Sequence, residues 1–260
     1  MSDPRLQITS KENQLSSPWW GIHEARYRFA LKYVGGERLL DVACGTGYGL
    51  PILLTAVKYV IGVDVDVPAL LSASREVSGL NGRIVLASGG RLPFHDGAFD
   101  AVTSFETIEH LPDRETFVKE LARVLAPEGV CVFSTPNAIY TRPVNGKPRN
   151  PYHVYEYSPS EFKDLLANRF DSISLLGQRL RPTFRMSPFW DDQQNLHGAR
   201  DLSRLALWRV LNKLPRLARE SLSQAIWGHP FTPSFRDYDF IASGVDDAPV
   251  QVAICRLPIT

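Results

Sequence analysis

The sequence predicts an α/β architecture, a mostly parallel sheet covered by helices on both faces, and three observations carry that prediction. Short apolar runs alternate with helix-period stretches between residues 23 and 177, a glycine-rich segment follows the first run directly, and an acidic residue ends the second. Buried strands that alternate with helices belong to parallel sheets, because each crossover helix covers a face.

The elements follow in chain order. Residues 1–18 are polar and end at Ser-Ser-Pro, which reads as a mobile arm. Ala25, Phe29, Ala30 and Tyr33 recur at helical spacing until Gly35 and Gly36 stop the helix. A first strand, residues 38–43, runs into the loop Cys44-Gly-Thr-Gly-Tyr-Gly49, and a short helix is expected over 50–56. The second strand, 59–63, ends on Asp64; a helix over 67–79 leads to a third strand at 84–87. A fourth strand (99–105), a helix (114–125) and a fifth strand (130–134) complete the alternation. Residues 136–159, rich in Pro, Asn and Tyr, form a long loop of the kind that carries function. A helix through Ala167, a strand over 170–176 and a last strand over 250–255 follow. The domain is thus expected at 19–177 and 248–260, with residues 178–247 as an aromatic, arginine-rich insertion or lid.

Composition narrows the function. The 260 residues are 44% hydrophobic and 22% charged, an ordinary globular balance. With 29 basic and 28 acidic residues the net charge is +1, which gives no global attraction to nucleic acid. Three cysteines make no secreted disulfide framework, and the first twenty residues contain no apolar signal core. No apolar run approaches the roughly 20 residues of a spanning helix, so a cytoplasmic location is expected.

A strand, glycine loop and helix place a ligand at the carboxyl ends of a parallel sheet. Glycines allow close backbone approach, and the helix start offers N–H groups to a carboxylate. The spacing Asp41-x-x-x-Gly45-x-Gly47-x-Gly49 departs from the dinucleotide pattern, because Leu50 stands where its last glycine is needed. Asp64, roughly 20 residues on, is placed to accept from both hydroxyls of a ribose. A nucleoside with a small zwitterionic tail fits these features best.

Leu39-Leu-Asp-Val-Ala-Cys-Gly-Thr-Gly-Tyr-Gly49 resembles motif I of the class I S-adenosylmethionine-dependent methyltransferases. Residues 61–64, 92–94 with Phe99-Asp100, 105–111, and 128–130 with 134–137 match further motifs in order. The resemblance spans about residues 20–177 and 250–257. It implies a Rossmann-like, seven-stranded, mostly parallel sheet with the last strand antiparallel beside the fifth, so that Cys131 and Cys255 lie close as reduced thiols. By the same resemblance S-adenosylmethionine is the cofactor. Asp41, Gly45 and Gly47 would line its methionine end, Asp64 its ribose, and Ser88 and Gly89 its adenine, with Phe105 also in the pocket. Ala43 stands where many members have glycine, and Ser88 where an aspartate usually caps the adenine. His23-Glu-Ala-Arg-Tyr27 is similar to an element of glycan and natural-product methyltransferases in which the arginine, here Arg26, grips the cofactor carboxylate; such a contact can be bidentate.

Methyl transfer from a sulfonium has a neutral leaving group, so the enzyme has to align the reactants and, for a hydroxyl acceptor, remove a proton. Two devices present themselves. Glu106, Glu109 and His110 share one face of a helical turn and could hold Mg2+, an arrangement that resembles the metal site of ubiquinone-biosynthesis O-methyltransferases. Alternatively, Glu109 and His110 only order the cofactor pocket. His153 lies in an Asn-Pro-Tyr-His segment similar to one in sugar and polysaccharide O-methyltransferases, where it would act as the base; a loop histidine bonded to a backbone carbonyl is the plainer reading. Both devices together are the preferred mechanism, with Glu109, His110 and His153 as the catalytic group. His197 and His229 read as structural.

The insertion carries Phe184, Phe189, Trp190, Trp208 and Trp227, a stripe of Leu202, Leu205, Trp208 and Leu211, and arginines from Arg179 to Arg219. Such a stripe is usually core or a homodimer contact, while residues 200–227 could also meet a membrane surface. The expected activity is O-methylation of a small-molecule or glycan acceptor. C- or O-methylation of a quinone or polyketide, and a cofactor-binding regulatory subunit, stand as alternatives.

Overall fold

The computed structural model describes residues 18–184 and 199–257. The expected N-terminal arm lies almost wholly outside the described residues, as do Phe189, Trp190 and His197, and nothing is described of the Leu202 and Leu205 side chains.

Strands β1 (Arg38–Val42), β2 (Tyr59–Asp64), β3 (Gly82–Leu86), β4 (Phe99–Phe105), β5 (Leu125–Pro136), β6 (Ser172–Leu180), β7 (Tyr238–Ile241) and β8 (Val250–Arg256) form one sheet in the order β3-β2-β1-β4-β5-β8-β6-β7. The first five pair in parallel, and β8 runs antiparallel to both β5 and β6. The expectation of seven strands is corrected to eight. The additional one, β7, is a four-residue edge strand inside the segment assigned to the insertion, too short and too mixed in polarity to be read as a buried run. The antiparallel placement of β8 stands as expected, with Cys131 directly opposite Cys255 and all three cysteines free.

Helix α1 (Pro18–Ala30) precedes β1, α2 (Leu50–Leu53) and α3 (Val67–Glu76) flank β2, and α4 (Arg114–Val124) leads into β5. Local chemistry sets their starts. Asp66 caps α3 by accepting from Ala69 N, and Asp113 caps α4 by accepting from Thr116 N. A short helix α5 (Ala138–Thr141) interrupts the long loop, and α6 (Pro159–Ala167) opens at Ser158 with a reciprocal capping box to Glu161. Phe117, Val118 and Leu121 of α4 pack with Leu40, Val42, Val102, Phe133, Phe162 and Phe170 in the main core.

The described residues divide into two compact units, 26–179 with 240–257, and 18–25 with 180–239. In the second, α7 (Ala199–Asn212) and α8 (Arg216–Trp227) join at Pro215, and α8 ends on Gly228 in the left-handed conformation. Trp208, Leu211 and Phe231 make its small apolar cluster, while His229 stacks on Phe184 at 4.0 Å and on Trp227 at 6.3 Å. Among the described residues, no helix is long and apolar enough to cross a membrane.

Candidate active site

Strand order reverses at β1, with β2 on one side and β4 on the other, and the crevice at such a reversal is where open α/β sheets bind ligands. Asp64 ends β2, the 43–49 loop follows β1, Ser88 and Gly89 follow β3, Phe105 ends β4, and Arg26 lies on α1.

The glycine loop is shaped by steric necessity. Gly45 and Gly47 have φ of +54° and +78°, and a Cβ on Gly47 would stand 2.5 Å from that of Ala73. A Cβ on Gly45 would meet nothing within 4 Å, so the loop leaves open space there. Ala43 also adopts a left-handed φ, +62°, a conformation that favours glycine.

Asp64 closes the loop from the next strand. Its Oδ2 accepts from Gly45 N at 2.8 Å, and its Oδ1 accepts from Val65 N and Asp66 N at 2.7 and 2.9 Å. Asp41, expected beside the methionine end, is buried, with Thr103 Oγ1 donating to Oδ1 at 2.6 Å and Tyr27 Oη to Oδ2 at 3.0 Å. Burial pushes its carboxyl up to about 7, against the opposing pull of the two hydroxyls. Tyr27 in turn meets Phe105 and Tyr48 edge-on, at 4.9 and 5.3 Å. Ser88 lies on an exposed turn where its Oγ accepts from Gly90 N, and a Cβ on Gly89 would stand 2.5 Å from the Phe117 ring.

The Glu106-Glu109-His110 triplet is divided by the structure. Glu106 has φ of +50° and turns towards Arg26, whose Nη1 lies 3.0 Å from Glu106 Oε1. Ser134 Oγ donates to the same oxygen at 2.8 Å. Arg26 is 1% exposed, and its Nε has no hydrogen-bond partner among the described residues. Glu109 and His110 lie instead in a single 3-10 turn, Ile108–His110, whose radial spacing differs from the α-helical face assumed from the sequence.

What joins Glu109 and His110 is His153. These three residues each offer a ligand atom, all within 4.8 Å of one another. The His110 and His153 rings meet edge-to-face at 4.8 Å. The loop that carries His153 is pinned by Val154 N and Tyr155 N, which both donate to Glu109 O, and by His110 Nδ1, 2.9 Å from Tyr152 O. His153 Nδ1 lies 2.6 Å from Glu156 Oε1, and Thr141 Oγ1 donates to the other oxygen of that buried carboxylate. Glu109 Oε2 accepts from Thr135 Oγ1 at 3.0 Å; burial, with the Glu106 charge nearby, pushes the Glu109 carboxyl well up. Sequence reasoning missed Glu156, Thr135 and Ser134. Only the three-residue step from His153 to Glu156 hinted at a pair; the others are brought in by strand register.

Comparison with known proteins settles the family. A model described as a methyltransferase domain matches residues 40–133. A demethylmenaquinone methyltransferase from Clavibacter sepedonicus is 37% identical over 184 residues, covering 68% of this chain and 67% of that protein. The chain belongs to the class I S-adenosylmethionine-dependent methyltransferases. A probable S-adenosylmethionine-dependent methyltransferase from Mycobacterium tuberculosis matches this methyltransferase at 26% identity, over 96% of this chain and 88% of its own length. A solved structure from Thermotoga maritima, described as a possible histamine N-methyltransferase, has a TM-score of 0.57 at 15% identity, covering 92% of this chain and 93% of that one. At such identity the likeness establishes the fold alone. The methyltransferase therefore uses S-adenosylmethionine as donor.

Proposed function

We propose that this methyltransferase acts on a hydroxyl of a sugar, glycan or related hydroxylated natural product. S-adenosylmethionine supplies an electrophilic methyl group on a sulfonium. In this reading Asp41 and the 43–49 loop face its methionine end, Asp64 its ribose, and Ser88 and Gly89 its adenine, with Phe105 also in the pocket, while Arg26 reaches the carboxylate end. Asp64 Oδ1 already accepts two backbone N–H groups and Oδ2 one, so Oδ2 keeps a lone pair for a ribose hydroxyl.

The observation that carries the hydroxyl reading is the cluster of Glu109, His110 and His153 beside the β4 end, with Glu156 on the far side of His153. An already neutral amine can attack without such a group, whereas a hydroxyl must lose a proton. The carboxylate on Nδ1 holds His153 in one tautomer, with the lone pair on Nε2, where Asn150 Nδ2 lies 2.9 Å away. His153→Ala should lower turnover about 10²–10⁴-fold, the usual contribution of proton removal by a positioned group.

A second reading, methylation of a quinol, is favoured by the 37% identity to the demethylmenaquinone methyltransferase. Labelled methyl transfer onto sugars, nucleotide sugars, benzoquinols and naphthoquinols, with the product bond assigned by NMR, separates the two. A sugar methyl ether is the expected product. A new C-methyl group on a naphthoquinol establishes the second reading and removes the first.

A further inference from the structure

Glu109 is a fully buried carboxylate with only half its acceptor capacity met. Oε2 takes the Thr135 hydroxyl, while Oε1 has no hydrogen-bond partner among the described residues. An unmatched buried anion is costly unless a cation or a proton meets it. The titratable neighbours of Glu109 in this cluster are the imidazoles of His110 and His153. His110 Nε2 lies 3.8 Å away, and a carbonyl, that of Tyr152, stands against the other nitrogen of that ring. A carbonyl only accepts, so Nδ1 carries the proton and Nε2 the lone pair. The same logic holds at His153, where Glu156 takes Nδ1 and Asn150 Nδ2 sits 2.9 Å from Nε2. Tyr152 N donates to Asn150 Oδ1, which orients the amide so that Nδ2 points at that lone pair. Both rings thus carry a hydrogen-bond acceptor at Nδ1, the support that metal-ligating histidines have, and in the neutral form keep the lone pair on Nε2.

We propose that Glu109 Oε1, His110 Nε2 and His153 Nε2 bind a divalent transition-metal ion, with Asn150 yielding its place and Glu106 taking no part. Ligand atoms of one ion stand roughly 3 Å apart at bond lengths of about 2.0–2.2 Å; from within 4.8 Å, small side-chain rotations reach that arrangement. Two imidazoles and one carboxylate suit Zn2+, Co2+, Mn2+ or Fe2+, whereas Mg2+ prefers a set of oxygens. This proposal departs from the Mg2+ triplet expected from the sequence in membership, because Arg26 and Ser134 hold Glu106, and in metal class, because of its two imidazoles. The inference rests on the hydroxyl-acceptor reading only for what the ion would bind; there it would lower the acceptor's pKa, and His153 would act through the ion rather than as the base itself.

Titrating the metal-free chain with Co2+ alone tests the site without any acceptor. One ion per chain, with visible absorption bands of a nitrogen-ligated Co2+, is expected, and millimolar Mg2+ should not displace it. His153→Ala should lose more affinity than the roughly 10–100-fold typical of an outer partner. Glu156→Gln, which touches no metal, should fall within that range. Glu106→Gln, or its combination with Arg26→Met if the single variant unfolds, should bind Co2+ as the parent does. Absence of stoichiometric Co2+ would mean that a proton alone satisfies Glu109, and unchanged binding in both His153→Ala and Glu156→Gln, or loss of binding in the Glu106 variants, would equally overturn the site. Co2+ binding without methyl transfer to any hydroxyl would leave the site standing and remove the acceptor assignment instead.

Discussion

Ala43 and Asp64 show how much of the cofactor loop is decided by single residues. Ala43 holds a left-handed φ of +62° immediately before the loop. For a residue with a Cβ that conformation costs about 1–2 kcal/mol, against an entropic cost of about 0.5–1 kcal/mol for glycine. Ala43→Gly should therefore raise stability by up to about 1 kcal/mol, read as a higher urea midpoint at unchanged slope; a lower midpoint would mean that the methyl group packs better than its backbone suffers. Asp64→Ala, by contrast, removes an acceptor from three backbone N–H groups besides any ribose contact. Calorimetry should show S-adenosylmethionine affinity reduced by roughly 1–3 kcal/mol.

At the scale of elements, the cleft depends on how α1 meets the ends of β4 and β5. The Arg26–Glu106 pair and Ser134 make that junction, and the two partners are unequally buried, with side-chain exposures of 2% and 22%. Glu106→Gln strands a buried guanidinium without its anion, whereas Arg26→Met leaves a carboxylate that water can reach. The first should destabilise by about 3 kcal/mol or more and the second by less, with the double variant recovering part of the larger loss. Chemical denaturation of the three variants checks this. Equal and additive losses would show that the pair contributes no coupling.

For the whole molecule, the buried carboxylates shape the pH dependence of folding. Asp41 has its folded-state value raised from 3.8 to about 7, chiefly by burial. Between those values the folded chain keeps a proton that the unfolded chain has lost, so stability falls as pH rises through this window and levels off above it. Glu109, also raised by burial, acts in the same direction. Asp41→Asn removes one such group, and the difference in unfolding free energy between variant and parent should move in the variant's favour from pH 4 to pH 7. A difference independent of pH would mean that the Asp41 carboxyl is ionised throughout.

The alternation of strands and helices, the glycine loop and Asp64 were legible in the sequence, because period, backbone permissiveness and strand-end placement are local properties. The β5–β8 pairing came with the family resemblance and stands in the register of Cys131 with Cys255. The edge strand β7 was not legible, since its four residues gain their strand character from the sheet they join. The partners of the catalytic candidates were not legible either. Glu106, Glu109 and His110 are neighbours in the chain, yet a left-handed backbone at Glu106 sends one side chain to Arg26, and the 3-10 turn sends the other two to His153. Sequence spacing describes faces of regular elements. Once the chain leaves regular helix, the tertiary contacts of Arg26, Ser134 and Tyr152 decide which side chains meet.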